Sequence, residues 1–394
     1  MTETAAANSD LPVIVSCVVL GAIGYTALFG MPVVIDALMT LRAYSNGQAG
    51  YTASGEYLGM MAGSAVASLL IARMRRRSLT TAGLTVALFS NLVSIGCTAF
   101  TLLLMARFMA GFGAGFVNAV SVAVLAGYDR RARNFMYFIF GSVLASAAIL
   151  FVFPRISERY GLPGIYGGYA LICVAGYLCV PWLPRAVSAI GGSPSPAHRS
   201  SPRPLRVEPW LCLSAVFMFY LMVSTFYAYA ETIGVSIGLN RNSVGTLLAS
   251  GALLSLGACF GAFWLSERVG QSKPLLWVLA LLVVAQLGTA LDIGRVTYIT
   301  DVALILGCWN FVDIYQLGTI ALIDPSGVNA ARVSGAQTLA MTLGPTVGGF
   351  LLDRGLNYGQ LLFLLGACGA IAYSMYAWVY RSLKTHAPHL ADAS

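Results

Sequence analysis

Residues 102–122 read LLLMARFMAGFGAGFVNAVSV, an apolar run long enough to cross a bilayer that carries one ionisable residue, Arg107, in its interior. An arginine at the centre of a membrane helix costs roughly 3 kcal/mol on insertion scales, so it is expected to face a partner or a water-filled cavity rather than lipid. Gly111, Gly113 and Gly115 follow it. Glycine lets a neighbouring backbone approach closely, and such an approach can bring the partner in. The stretch predicts a membrane-spanning helix, tightly packed at its middle, built around one buried cation.

The composition agrees. The chain has 394 residues, 58% of them hydrophobic and 10% charged, against about 25% charged in soluble domains. The net charge of +8 sits in short connectors between long apolar runs rather than on one face, which excludes a nucleic-acid surface. The opening MTETAAANSD has no basic residue, and the apolar run behind it is far longer than a signal-peptide core, so it is expected to be retained as the first span. Eight cysteines without a CxxC pair read as small packing residues; no metal and no cofactor is expected.

Apolar windows fall at about 12–39, 48–72, 79–98, 100–127, 135–154 and 162–183, then at about 209–236, 243–266, 274–292, 296–323, 332–352 and 359–380. These predict an all-α polytopic membrane protein with twelve spans. Residues 185–208, RAVSAIGGSPSPAHRSSPRPLRVE, are Pro-, Ser- and Arg-rich and read as a cytoplasmic linker. It separates a six-helix bundle over 1–184 from a second over 209–394. With both termini inside, the inner connectors hold 16 Lys and Arg and the outer ones 6. That bias predicts a cell-membrane protein with cytoplasmic termini.

The two halves repeat. A shift of 195 residues carries Tyr25 to Tyr220, Asp36 to Glu231, Arg73 to Arg268 and Asn118 to Asp313. Intramembrane acids are rare, so the match of Asp36 with Glu231 argues for a true internal repeat. Parallel repeats of this kind place a solute site near the midplane between the halves and imply alternating access.

The loop after span eight, GAFWLSERVGQSKPL (261–275), resembles the Gly-rich acid–Arg–x–Gly loop of the major facilitator superfamily, with Glu267, Arg268, Gly270 and Lys273 at its key positions. ASLLIARMRRRSL (67–79) is its weaker first copy; it keeps Arg73 but has Ala72 and Arg75 where the family has Asp and Gly. RFMAGFGAG (107–115) is similar to the family's fourth-span signature. The resemblance implies a twelve-span secondary transporter. It also implies that Arg73, Glu267 and Arg268 serve as gating-loop residues, and that a first-span acid, Asp36, opposes the fourth-span Arg107 in proton coupling.

The residues themselves leave alternatives open. The buried ionisable set is Asp36, Glu56, Arg107, Glu231, Asp301 and Asp313, five acids facing one base. No Gly-x4-Gly-Lys run exists, so nothing holds ATP phosphates. Asp36, Glu56 and Arg107 form the expected proton-coupling group, with Glu56 the reserve partner of Arg107; the alternative for Asp36 is a place near the surface beside Arg42. Asp301 reads as interfacial. In GCWNFVDIYQLG (307–318), Trp309, Asn310 and Asp313 share a helical face. With Tyr227 and Glu231 of span seven, Tyr25 and Phe29 of span one, and Asn118, they form the expected solute-binding set; for Asp313 the alternative is an interhelical hydrogen bond. One buried base among acids suits a neutral or cationic organic solute, with a monocarboxylate on Arg107 as the alternative. With no membrane histidine to build a catalytic centre, an embedded enzyme is excluded. The Gly-Pro-x-x-Gly-Gly run of drug–proton antiporters is missing from span five, which points to proton symport into the cell; antiport that exports drugs or metabolites is the alternative. The expected partners are the solute, protons and the lipid bilayer, with the chain acting as a monomer.

Overall fold

The structure is a computed structural model and describes residues 2–128, 131–184, 207–324 and 328–386. The helices in chain order are α1 (Thr2–Gly24), α2 (Thr26–Phe29), α3 (Met31–Arg42), α4 (Asn46–Leu70), α5 (Arg76–Gly96), α6 (Phe100–Ala126), α7 (Arg131–Tyr177), α8 (Val207–Ser236), α9 (Arg241–Val269), α10 (Ser272–Leu291), α11 (Arg295–Ile323), α12 (Val328–Asp353) and α13 (Tyr358–His386). Eight described helices are long and apolar enough to cross a membrane. Most of the expected linker, 185–206, lies outside the described residues; Val207 and Glu208 already belong to α8.

The chain divides into two compact units, Met1–Tyr44 with Tyr51–Ser193, and Ser45–Gly50 with Pro194–Ser394. In the second unit the Asp353 carboxylate accepts hydrogen bonds from the Ser45 hydroxyl at 2.7 Å and the Gly47 amide at 2.9 Å. The Tyr229 hydroxyl donates to the carbonyl oxygens of Asn46 and Pro345. These contacts are why Ser45–Gly50 group with the C-terminal helices.

The 195-residue shift is written into the helix boundaries. Asn46 and Arg241, the first residues of α4 and α9, are 195 apart, as are Phe100 and Arg295, the first residues of α6 and α11. Two spans are broken in places the sequence explains. α1, α2 and α3 together make the first span, interrupted at Tyr25 and Gly30; Pro32 has no N–H for the carbonyl four residues back, so the ladder fails there. α7 contains two spans that meet at Gly161, whose φ of 62° and ψ of −156° suit glycine, with Pro163 starting the second limb.

The two cytoplasmic-loop copies differ for a backbone reason. α9 ends on Gly270 at φ 78°, which excludes most side chains. Its counterpart 195 residues earlier, Arg75, sits at φ −63° in extended conformation. No glycine is required there, and the first loop has none.

α6 is the most closely packed helix of its unit. A Cβ on Gly111 would strike the Glu56 carbonyl, one on Gly115 the Met60 carbonyl, and one on Gly113 the backbone of Gly83 and Ala87. Gly111 and Gly115 therefore seat α4 on one side of α6 while Gly113 seats α5 on the other. Gly111→Ala should lower thermal stability in detergent by about 1–3 kcal/mol through overpacking. Gly257→Ala, on α9 with open space around it, should leave the melting temperature unchanged or slightly raised.

Candidate functional site

The seam at Gly111 draws the backbone of Glu56 against α6, and the side chains follow. Arg107 is fully buried, and its Nη1 meets Glu56 Oε1 at 3.1 Å. Its Nη2 donates to Asn91 Oδ1 on α5 at 2.6 Å, and its guanidinium lies over the Tyr166 ring at 4.6 Å from the centroid. Asn91 turns its own amide toward Cys173 Sγ at 3.9 Å. The cation that the sequence expects to face a partner rather than lipid is thus enclosed by a carboxylate, an amide and an aromatic face. Below the pair is a cavity with room for about one water molecule, lined by Glu56, Asn91, Thr26, Tyr169 and small apolar residues.

This corrects the expected pairing. The carboxylate that meets Arg107 is Glu56, the reserve, and not Asp36. Asp36 is buried on α3 and engages in interactions of its own. Arg42 is not its partner of record either, since Arg42 Nη1 donates to the Cys97 carbonyl at 2.6 Å. The physical reason is the glycine seam: α4, not α3, is the helix whose backbone comes into contact with α6 at the level of Arg107.

In the first unit Tyr25 marks the break between α1 and α2 and packs near Phe29, with ring centroids 6.0 Å apart, and near Phe138. Gly24 lies against Asn118 on α6, where a Cβ would meet the Asn118 side chain and the Ala114 carbonyl. The Asn118 side-chain oxygen has no hydrogen-bond partner among the described residues. Asn118 therefore packs against Gly24, next to the interruption of the first span at Tyr25.

In the second unit the indole of Trp309 is met edge-on by Tyr220 and Tyr227 of α8, each with ring centroids 5.9 Å away. One turn along α11, Asp313 Oδ1 accepts from Gln337 Nε2 of α12 at 2.7 Å, and the Tyr220 hydroxyl is also a donor to it. Asp313 is half-buried. Two residues of the expected set have other neighbours in the structure. Asn310 donates to Ser255 Oγ on α9 at 3.1 Å, an interhelical bond. Glu231 is fully buried next to Tyr298, whose hydroxyl donates to the Ala230 carbonyl at 2.6 Å. Asp301, expected at the interface, is fully buried in α11.

Of the gating-loop residues, Arg73 is exposed and Arg268 stacks on Trp264 of its own helix at 4.3 Å; the Glu267 side chain lies outside the described residues. Arg77, in the same 67–79 stretch as Arg73, ties α5 to the Val180–Trp182 turn through the Leu183 and Pro181 carbonyls. Sequence reasoning also missed Asn91, Tyr166 and Gln337. For Asn91 a signal was present: Gln286 stands 195 residues later, a second amide inside a long apolar run.

The profile of the Major Facilitator Superfamily matches residues 14–323. The chain belongs to that superfamily. It is a multi-pass membrane transporter with the twelve-helix fold, two six-helix bundles related by the internal repeat, and it moves a solute across the bilayer. A curated relative, the purine ribonucleoside efflux pump NepI of Salmonella paratyphi B, is 26% identical over 296 residues, covering 70% of this chain and 71% of its own. Among solved structures, the nucleoside transporter NupG matches with a TM-score of 0.72 at 10% identity, over 94% of this chain and 99% of its own. A D-xylose–proton symporter matches with a TM-score of 0.73 at 13% identity, over 94% and 97%.

A double-mutant cycle on this facilitator tests the corrected pair. Arg107→Ala leaves Glu56 buried without a counter-charge and should cost about 3–5 kcal/mol. The Glu56→Ala/Arg107→Ala cycle, read by thermal unfolding in detergent, should show strong coupling, whereas the Asp36→Ala/Arg107→Ala cycle should be close to additive.

Proposed function

We propose that this facilitator is a proton-coupled symporter for a small, neutral or weakly cationic organic solute carrying a planar ring, with nucleosides the first class to test. The observation that carries the reading is the Tyr220–Trp309–Tyr227 cluster beside the part-exposed Asp313. The rings offer apolar surface and edge contacts for a planar ring. Asp313, oriented by Gln337 and Tyr220, accepts hydrogen bonds from hydroxyl or amino groups next to that ring. In the first unit, Tyr25, Phe29 and Asn118, whose side-chain oxygen has no partner among the described residues, are kept as solute-ligand candidates on the strength of the sequence repeat. The name of the NepI relative supports the choice of nucleosides as the first probes.

The proton belongs to Glu56. A buried acid paired with one arginine alternates between an ion pair and a protonated form according to whether that arginine stays in place. The small cavity at Glu56 and Asn91 has room for about one water molecule beside the carboxylate, and a water there could carry a proton to it. Asp36, buried in the same unit, is the second carboxylate on this route. Glu56 and Asp313 lie in different units, so the proton and the solute are assigned to distinct groups, which leaves room for both to be bound at once. Antiport is the second reading, supported by the efflux activity in the relative's name. Arg73, Glu267 and Arg268 are assigned to the loops that change partner during the transport cycle, on the family resemblance. The 16-to-6 distribution of basic residues supports cytoplasmic termini in a cell membrane.

Reconstituted vesicles with an alkaline interior test the scheme. Labelled nucleosides should accumulate against their gradient, and Glu56→Gln should abolish accumulation while leaving solute exchange measurable. Trp309→Ala and Asp313→Asn should each weaken binding at least tenfold. Accumulation that persists in Glu56→Gln overturns the coupling role, and unchanged affinity in both site variants overturns the solute site. Uptake driven only by an acidic interior establishes antiport instead.

A further inference from the structure

The second unit contains a polar cluster that neither the solute site nor the Glu56–Arg107 pair uses. Asp301 on α11 is fully buried, and both its carboxylate oxygens lack a hydrogen-bond donor of their own among the described residues. Thr289 of α10 lies beside it as a shared donor, whose single hydroxyl proton is also directed at the Ala285 and Thr297 carbonyls at 3.0 and 3.2 Å. Tyr298, one turn before Asp301, gives its proton to the Ala230 carbonyl. Gln286, one turn before Thr289 on the same face of α10, is fully buried, and neither its amide nitrogen nor its amide oxygen has a partner. Glu231 of α8, also fully buried, is within electrostatic reach of Tyr298, as is Asp301.

The repeat shows what is missing. Gln286 corresponds to Asn91, Glu231 to Asp36, and Asp301–Val302 to Ala106–Arg107. In the first unit the amide of Asn91 and the carboxylate of Glu56 enclose the Arg107 guanidinium. In the second unit the amide is retained and the acids are retained, but valine stands where the arginine would be. The cations at the nearby helix starts are Arg241 and Arg295. Arg295 reaches the Gly238 carbonyl at 3.5 Å, and Arg241 is engaged in interactions of its own. No salt bridge to Asp301 forms among the described residues.

We propose that Asp301 is a second proton-binding site of this transporter, carried by the C-terminal helices, with Gln286 as its amide partner and Glu231 as the neighbouring acid that shares the proton. A carboxylate in an apolar bundle without counter-charge or a donor of its own is strongly disfavoured, and a proton removes the charge. The same proton turns an acceptor-only carboxylate into a group that can also donate. The neutral acid donates through its O–H and accepts through its carbonyl, which matches the acceptor and donor that Gln286 leaves open. Because this site lies outside the solute cluster, the proposal holds whichever solute is carried and whether or not Glu56 couples transport.

Infrared difference spectroscopy of the purified full-length transporter in lipid nanodiscs reads the group directly. A protonated-carboxyl C=O stretch should be present at neutral pH, should shift when the protein is labelled with carboxyl-13C aspartate, and should disappear at high pH. Asp301→Asn should remove this band, Glu56→Gln should leave it, and Glu231→Gln should displace the pH at which it titrates. Should Asp301→Asn not fold, the isotope shift in the wild-type protein, repeated in Asp36→Asn and Asp313→Asn, assigns the band to Asp301 by elimination. Absence of a labelled aspartic-acid band at every pH tested overturns the proposal. So does a band that vanishes on adding sodium chloride but not potassium chloride at fixed pH, which would make the site one for sodium.

Discussion

An arginine enclosed in a membrane bundle must be matched in charge and in hydrogen bonding, and the first unit is built around that requirement. Arg107 takes a carboxylate from α4, an amide from α5 and an aromatic face from the second limb of α7. Three helices converge on one guanidinium. The backbone makes this convergence attainable. Gly111 and Gly115 bring α4 into contact with α6, and Gly113 does the same for α5. In lipid, close backbone packing and internal hydrogen bonds take over the role that water exclusion plays in soluble cores.

Most of the architecture was legible because the membrane restricts the options. Long apolar runs in a bilayer must be helical, and the charged connectors divide them. The 195-residue offset, visible in a few polar residues, reappears in the first residues of α4 and α9 and of α6 and α11. The site was less legible. Spacing identified Trp309 and Asp313 as neighbours on one helix, and the structure adds Tyr220 and Tyr227 to them. Spacing was silent on which neighbouring helix each polar side chain would choose. Asn310 lies three residues from Asp313 yet bonds Ser255 of α9, and Arg107 bonds α4 rather than α3 because the glycines select the contact. Asp301 looked superficial from its distance to a loop, but a residue near a helix end is still buried when Tyr298 of its own helix and Thr289 of α10 pack beside it.

The repeat preserves the scaffold while the chemistry diverges. Asn91 and Gln286 keep an amide at the same register, and Asp36 and Glu231 keep an acid. Arg107 has no basic counterpart, and Asp313 replaces the amide of Asn118. One unit thus holds a fixed internal cation and the other an excess of acids. Duplicated bundles that share helix starts at α4 and α9 and at α6 and α11 can diverge in this way because the glycine and proline positions that shape the helices are separate from the polar positions that line them. The two loop copies illustrate it at one residue, where Gly270 is demanded by its backbone and Arg75 is not.

The order of the chain also bears on how the protein is made. Glu56 and Asn91 both precede Arg107, in α4 and α5, while Tyr166 follows it in α7. During synthesis from the N-terminus, both polar partners have left the ribosome before the arginine does. The helix that is hardest to place in lipid therefore arrives where its counter-charge is already waiting, and the aromatic cover closes over it afterwards. In the opposite order, a bare guanidinium would have to wait in the bilayer for a partner not yet translated.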